Sequence, residues 1–536
     1  MGKIRTFVQA AQNAAFDFWE GLQTTFGGIK TSIWIPKTTD TNANAAIKPK
    51  GNGANVAQDP DGTATGGNAR GQYATDWQKS RSSNQDVASG NNSTIGGGIA
   101  NRASGADSTV GGGNNNRATN TASTVGGGYL NQATALRSVI AGGNNNTASG
   151  QYSTISGGLS NTSTGDRSFI GGGTSNAASQ THSTISGGQD NTASSTHSTV
   201  GGGYNNTASG DYSIISGGNN NTASGLNSIA FGTSNTASGA FASTAIGRNN
   251  QATGSGASAI GTSNISSGTR SSIGGGFDND ATAEHSTVGG GELNIASGAH
   301  GTVSGGEDCT ATAQYATVGG GKSNDATEAR AVIAGGINNS ASGSRSTVGG
   351  GDAVRATGDY STVSGGRTNR ADGDYSTVSG GFRGIASRYG QFAHSSGRFV
   401  ADGDAQYCRY IVRTATTDAT ANVELFLDGT AGSNRITIPE DTAYQFHIYI
   451  TSIENTGNNA KSSEITGLIR RQNGGNATIV GQHTDGNKTF NDGGFTPSYT
   501  VSADTTNQSL KIDVTGLAAT NIHTVATVDI TEVKYA

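Results

Sequence analysis

Between about Val87 and Ser396 the chain sets one large apolar residue among small polar ones at a fixed interval. That residue falls at Ile95, Val110, Val125, Ile140, Ile155, Ile170, Ile185, Val200 and Ile215, fifteen apart each time. It returns at Ile273, Val288, Val303, Val318, Ile333, Val348, Val363 and Val378 with the same spacing. Between the two arrays the interval loosens to Ile229, Ile246 and Ile260. An alanine trails the large residue by eight, at Ala103, Ala118, Ala133 and Ala148, and an asparagine precedes each alanine by two, at Asn101, Asn116, Asn131 and Asn146. A Gly-Gly-Gly or Ser-Gly-Gly run commonly follows the large residue.

A fifteen-residue unit is too short for a two-helix repeat, which needs roughly 33 residues or more. Its glycines would each cost a helix interior about 1 kcal/mol, and they lack the every-third-residue spacing of collagen. Short β-branched runs closed by glycine read as strands and turns. The unit therefore predicts one coil of a parallel β-solenoid with about two short strands. The five prolines, Pro36, Pro49, Pro60, Pro439 and Pro497, all lie outside the array, as a stacked ladder that needs every backbone N–H requires. With coils about 4.8 Å apart, roughly 20 of them make a rod near 100 Å long. The Val/Ile and Ala positions become apolar columns, and the asparagines become a ladder of side-chain amides bonding up and down the stack. One large and one small apolar residue per coil make a thin interior, which predicts that three copies share one axis to bury more.

The flanks read differently. Residues 1–36 concentrate aromatic residues, and Ile4, Phe7, Ala11, Ala14, Phe18 and Leu22 follow a helical period over 4–23. This segment predicts a docking element, with Phe7, Phe16, Phe18, Trp19 and Trp34 as its contacts. Residues 37–86 read as an irregular linker, 87–397 as the repeat shaft and 398–536 as a separate antiparallel β domain. In that last domain strands are predicted at 407–414, 423–427, 435–438, 443–453, 463–471, 478–482, 498–503, 509–515 and 524–533, the pattern of a sandwich or jelly roll.

The segment Asn227-Ser228-Ile229-Ala230-Phe231-Gly232 through Asn235-Thr236-Ala237-Ser238-Gly239, with Ser243-Thr244-Ala245-Ile246-Gly247, resembles the head repeat of trimeric autotransporter adhesins. That resemblance implies a trimeric, left-handed parallel β-roll over more than half the chain. The family's coiled-coil stalk and membrane anchor have no counterpart here. The run from Gly71-Gln72-Tyr73-Ala74 through Trp77 into Val87-Ala88-Ser89-Gly90 is similar to tail-fibre and tail-spike proteins of tailed phages, and the C-terminal domain resembles their tips. These resemblances imply a homotrimeric virion tail component, extracellular once assembled. Its N-terminus would meet other tail or baseplate proteins and its tip a host-surface glycan or protein. An adhesin of a bacterial surface or injection system and a polysaccharide-degrading spike are the alternatives.

Composition narrows the chemistry. Glycine is 86 of 536 residues, charged residues are 13% and the net charge is −5, which argues against a nucleic-acid binder. No apolar run is long enough for a membrane helix. The start, interrupted by Gln9, Gln12, Asn13, Asp17 and Glu20, does not read as a secretory signal. Cys309, which holds an asparagine position, and Cys408 read as two free thiols. Neither a cofactor nor a metal site is expected. Asp278, Asp280 and Glu284, or Glu307 with Asp308, are the acidic pairs a glycan-cleaving spike would need, yet all sit in ordinary turn positions. A column three residues ahead of the large marker holds Tyr152, Arg167, His182, His197 and Tyr212, then His285, His300, Tyr315, Arg330, Arg345, Tyr360 and Tyr375. It reads either as a sugar-binding track or as side chains that shelter the coil by stacking. In the tip the polar loops 454–462 and 481–497 are the expected receptor contacts, with Asn458, Asn459, Lys461, His483, Asp485, Lys488 and Phe490 as candidates.

Overall fold

A computed structural model describes residues 31–34, 46–49, 55–56 and 60–534, apart from 64–65, 79, 431, 433, 457–458 and 486–488. The helix expected over 4–23 lies outside the described residues, among which there is no helix. Thr31–Trp34 pairs antiparallel with Ala46–Pro49. Asn55–Val56 and Thr75–Asp76, inside the stretch read as linker, already pair in parallel with one another, and Thr75–Asp76 pairs onward with Thr94–Ile95. Contacts divide the chain into two compact units, 1–242 and 243–536.

Unit 1 is a parallel β-solenoid built on the fifteen-residue interval. In the coil that starts at Ser123, Thr124–Val125 pairs in parallel with Thr109–Val110 before it and with Val139–Ile140 after it. Tyr129 bridges Asn114 and Asn144, and Gln132–Ala133 pairs with Arg117–Ala118 and Thr147–Ala148. Three ladders thus run along the stack. The corners between them need the left-handed backbone region, at Gly128 (φ 92°), Leu130 (φ 58°) and Arg137 (φ 53°). A Cβ on Gly128 would stand 2.1 Å from the carbonyl oxygen of Gly143 in the next coil, so close approach as well as φ demands glycine there.

The interior is apolar on two columns and polar on two more. Val125, Ile140, Ala133 and Ala148 are wholly buried, and so are Ser123, Asn131 and Asn146. The Ser123 hydroxyl donates to Asn120 O at 2.7 Å. The asparagines form a ladder of a different kind from the one expected. Asn131 Nδ2 donates to Gly127 O in its own coil (2.9 Å) and Gly143 O in the next (2.8 Å), while its Oδ1 accepts from the backbone N–H of Asn146 at 3.1 Å. Amide-to-amide bonds occur as additions, as from Asn146 Nδ2 to Asn131 Oδ1 at 3.0 Å. These polar columns fill the space that two apolar columns leave. A single chain closes its own coil, so thinness of the interior is no argument for a trimer.

The looser middle segment corrects the sequence reading. Ile229, Ile246 and Ile260 do not occupy the buried Val/Ile column. Ile215 is paired with Ala230, and Ala259 with Ile273, so Ala230, Ala245 and Ala259 take the interior position. In unit 1 the large side chains Ile229 and Phe231 face outward, 37% and 48% exposed. In unit 2 the coils at Ala245 and Ala259 pair over five residues, Thr244–Arg248 with Ser258–Thr262. These fourteen-residue coils lack one residue of the glycine corner, and longer flat strands take its place.

Unit 2 resumes the fifteen-residue coils and ends in the tip. Phe392–Ser395 pairs in parallel with Thr377–Gly381 and antiparallel with Ala405–Thr416, so the coil sheet continues into the tip sheet. From Ala405–Thr416 the order runs through Ile522–Lys534, Thr442–Glu454 and Ala460–Arg471, and the last strand pairs with both Thr478–Thr484 and Phe490–Asn491. A second sheet has Ser509–Thr515 paired with Ser498–Asp504, Val423–Glu424 and Ile436–Thr437. Tyr444, Phe446, Ile448, Ile450, Leu510, Ile512, Val528 and Ile530 belong to the core cluster of the tip. Alternation along Thr442–Glu454 and Ile522–Lys534 places their buried residues on the inner face, opposite Leu510 and Ile512 of the second sheet. The nine strands expected from the sequence all appear here.

Candidate functional site: a groove on the tip sheet

The tip is held to the last coil by a buried polar cluster. The Arg388 guanidinium reaches Tyr410 Oη (3.2 Å), Tyr444 Oη (3.0 Å) and Thr437 Oγ1 (3.0 Å). Glu532 accepts from Gln406 Nε2 at 2.8 Å, and burial pushes its carboxyl above the ordinary range. Burial also pushes the Cys408 thiol up to about 12, which leaves it protonated and unreactive at neutral pH. A guanidinium in this setting needs its hydrogen-bond acceptors, because an unpaired buried charge is strongly destabilising. The cluster fixes the tip sheet relative to the last coil.

On the strands of that sheet farthest from the coils lies an open groove of about 550 Å³, lined by Gln445, Thr466, Gly467, Leu468, Gly481, Gln482 and His483. Register assembles it. Gln445 lies opposite Leu468, and Leu468 opposite Gly481; one row on, His447 faces Thr466, and Thr466 faces His483. The register shifts between Leu468 and Ile469, where Val480 is the extra residue. Bulges of this kind re-aim side chains beside binding sites. Gly481 has no atom within 4 Å of where its Cβ would be, so the hollow is the space of its missing side chain. Gly467 serves the other face, since a Cβ there would meet Phe446 Cζ at 2.4 Å. The lining offers amide, hydroxyl and imidazole groups that donate and accept, and one apolar wall at Leu468.

Among the sequence candidates, His483 lies in this groove. Asn459 and Lys461 brace the neighbouring loops: Asn459 Nδ2 donates to Glu454 Oε2 at 2.7 Å, and Lys461 Nζ donates to Pro497 O at 2.7 Å and sits 5.1 Å from the Tyr499 ring centre. Burial holds the Lys461 ammonium below its usual range. Phe490 is 68% exposed and pairs with Ser462, and the Asp485 N–H donates to Glu464 O at 3.1 Å. Asn458 and Lys488 lie outside the described residues, as do Phe7, Phe16, Phe18 and Trp19. Trp34 is placed only by its backbone pairing with Ala46. Gly481 and Gln482 fall within the stretch 481–497 singled out from the sequence, but on the strand Thr478–Thr484 rather than in a loop, and Gln445, Thr466, Gly467 and Leu468 escaped that reading because two further strands supply them. The available signal was glycine at 467 and 481 inside strand-like runs, which marks a bulge or a close approach.

The ring columns turn out to stack. His182 and His197 lie 4.7 Å apart at 15°, and His197 and Tyr212 4.7 Å apart at 5°, in unit 1. In unit 2, His300 with Tyr315 and Tyr360 with Tyr375 do the same at 4.8 and 4.9 Å. Arg330 and Arg345 cover Tyr315 and Tyr360. The stacked pairs cover ring faces coil over coil, which fits the sheltering reading, while His285 meets His300 edge-on. Of the acidic candidates, Glu307 takes Lys322 Nζ at 2.8 Å, and Asp308 accepts from Ser323 at 3.1 Å. Asp280 is pushed up by burial and by neighbouring Asp278. Among the described residues no three His, Cys, Asp or Glu side chains are grouped to hold a metal ion.

No protein-family model matches the chain, and no curated protein matches it. Among solved structures the chain is similar to the crystal structure of the Acinetobacter baumannii phage AM24 tailspike protein. The identity is 9% and the TM-score 0.17, over 75% of this chain and 68% of that one. At that score the likeness carries no argument about activity.

Proposed function

We propose that this protein is an attachment fibre or spike of a phage tail, whose coils carry a terminal sandwich that binds a host-surface glycan in the Gln445–His483 groove. The observation that carries this reading is the unbroken passage of the coil sheet into the tip sheet, with the groove on the tip strands farthest from that junction. A repetitive stack with buried polar columns and self-covering rings suits a spacer. Amide and hydroxyl groups that both donate and accept, beside an apolar wall, suit a polyhydroxylated ligand. In this reading the aromatic segment 1–36 docks on tail or baseplate proteins in the virion, and the chain works as a homotrimer. Three weak tip sites then raise avidity without further contacts.

The test fills the groove. Gly481→Arg places a side chain where nothing stands within 4 Å, so its circular dichroism and melting temperature should match the parent. Binding of the purified protein to host cells should fall at least tenfold. Undiminished binding by the folded variant would remove the groove from the proposal. Oligosaccharide released from host capsule or lipopolysaccharide would replace plain attachment with a glycan-degrading spike.

A further inference from the structure

Among the described residues the large tip sheet is covered on one face by the second sheet and bare on the other. Along Ala405–Thr416, Thr442–Glu454 and Ile522–Lys534 the outward positions include Ile411, Tyr449, Ile453 and Val525, exposed by 52%, 44%, 43% and 44%. Register makes them neighbours. Ile411, Thr527 and Tyr449 form one row, Arg413, Val525 and Thr451 the next, and Ala415, His523 and Ile453 the third. Ile411, Tyr449, Val525 and Ile453 are thus near neighbours on this face, set among Thr527, Arg413, Thr451 and His523, and exposed large apolar side chains grouped in this way mark interaction surfaces.

The charges on this face are satisfied within the chain. Arg409 and Asp529 pair through two bonds, at 2.6 and 3.0 Å, and Tyr407 Oη donates to the same carboxylate. His447 contacts Glu464, and Arg413 donates to the carbonyl of Asp428 at 2.7 Å. A partner that covers the face therefore meets ion pairs already made within the chain, with the His523 imidazole beside them in the third row, so a strongly charged partner gains little from it. An identical face, apolar with internally paired charges, fits. The three strands have 12, 13 and 13 residues. At about 3.4 Å per residue and 4.8 Å between strands they present roughly 600 Å², the order of the ~800 Å² each partner buries in a standard interface.

We infer that the outer face of this sheet, centred on Ile411, Val525, Tyr449 and Ile453, is where the tips of separate copies of the chain pack together. The groove borders the patch, toward Gln445 and the 478–484 strand. The inference takes from the proposed function only the expectation of several copies, and it assigns the surface on which they meet.

Single-cysteine chemistry tests it in the full chain, since Cys309 and Cys408 are both buried. Val525→Cys and Thr451→Cys place a thiol in the patch, and Thr500→Cys places one on the outer face of the other sheet. After treatment with a short bismaleimide, both patch variants should run as covalent multimers on a denaturing gel, and Thr500→Cys should not. Native mass is read on the same samples. A multimer whose patch variants cross-link no better than Thr500→Cys overturns the assigned surface and leaves the multi-copy reading standing. A native mass near the single chain's overturns both.

Discussion

Each ladder asparagine is wholly buried and serves three backbone groups in two coils. That economy explains why the position tolerates so little variation and what its exceptions mean. Cys309, Val354 and Gly384 stand in the column, and each still donates its own N–H to the asparagine before it, Val354 to Asn339 Oδ1 at 3.0 Å. None of the three presents an amide oxygen to the coil that follows. Val354→Asn should restore donors to Gly350 O and Gly366 O and give the Asn369 N–H an acceptor. A net hydrogen bond is worth about 0.5–1.5 kcal/mol, and burial of the valine methyls contributes about 1.5 kcal/mol. The expected result is a gain of roughly 1 kcal/mol, read as a higher denaturant midpoint with an unchanged slope. A loss would show that the apolar contact outweighs the ladder at this coil. The column itself was legible as periodic asparagine. Its bonding pattern was not, because it depends on glycine corners that turn carbonyls inward, as at Gly128 (φ 92°).

At the scale of the element, the looser segment shows how following the large side chains alone misplaces a position. Ile246 lies one residue past the fifteen-residue beat that Ile215, Ala230 and Ala245 keep, and Ala245 holds the interior position. In a strand one residue of offset exchanges the two faces, so Ile246 takes the opposite one. The tip strands were legible because their alternation is strict and their turns polar. The groove was not, since pairing distances of 13 to 23 residues bring its walls together and no local pattern encodes them. The loop between coil and tip carries its own prediction. Asp404 is partly desolvated, but its carboxylate accepts from the N–H groups of Phe399 (2.8 Å), Val400 (2.6 Å) and Ala401 (2.7 Å), and the net effect lowers its affinity for a proton. A carboxyl that binds its proton less readily when folded adds stability that is complete above the unfolded value of about 3.9. That stability is lost as pH falls through the lower folded value. Amide exchange at 399–401 should therefore accelerate on acidification below pH ~4, beyond the intrinsic pH trend of the same amides in an unfolded peptide. In Asp404→Asn it should be fast at every pH. Equal protection in the variant would mean that the carboxylate does not hold the loop.

For the whole molecule, coils of one design imply a modular energy ledger: each coil contributes its own folding cost and one interface with its neighbour. Fifteen residues are then a unit that can be taken out. Deletion of 124–138 joins Ser123 to Val139, so Ile140 takes the place of Val125 beside Val110, Asn146 follows Asn116 in the ladder, and Ala148 follows Ala118. One coil's worth of buried surface disappears, and no new kind of contact is created. The variant should fold, melt cooperatively a few degrees from the parent and show a slightly smaller denaturant slope, which scales with the surface exposed on unfolding. Deletion of 124–131 makes the contrast. It removes eight residues and would set Gln132–Ala133 against the Thr109–Val110 ladder. Alanine then fills a valine position, and the ladder asparagine, the serine and the glycine corners all fall out of line with the coils on either side. That variant should lose cooperative melting in the repeats, measured by circular dichroism at the strand minimum. If both deletions unfold alike, the coils are not interchangeable and the cooperativity reaches farther than nearest neighbours. If both fold alike, the columns do not set the register of the stack.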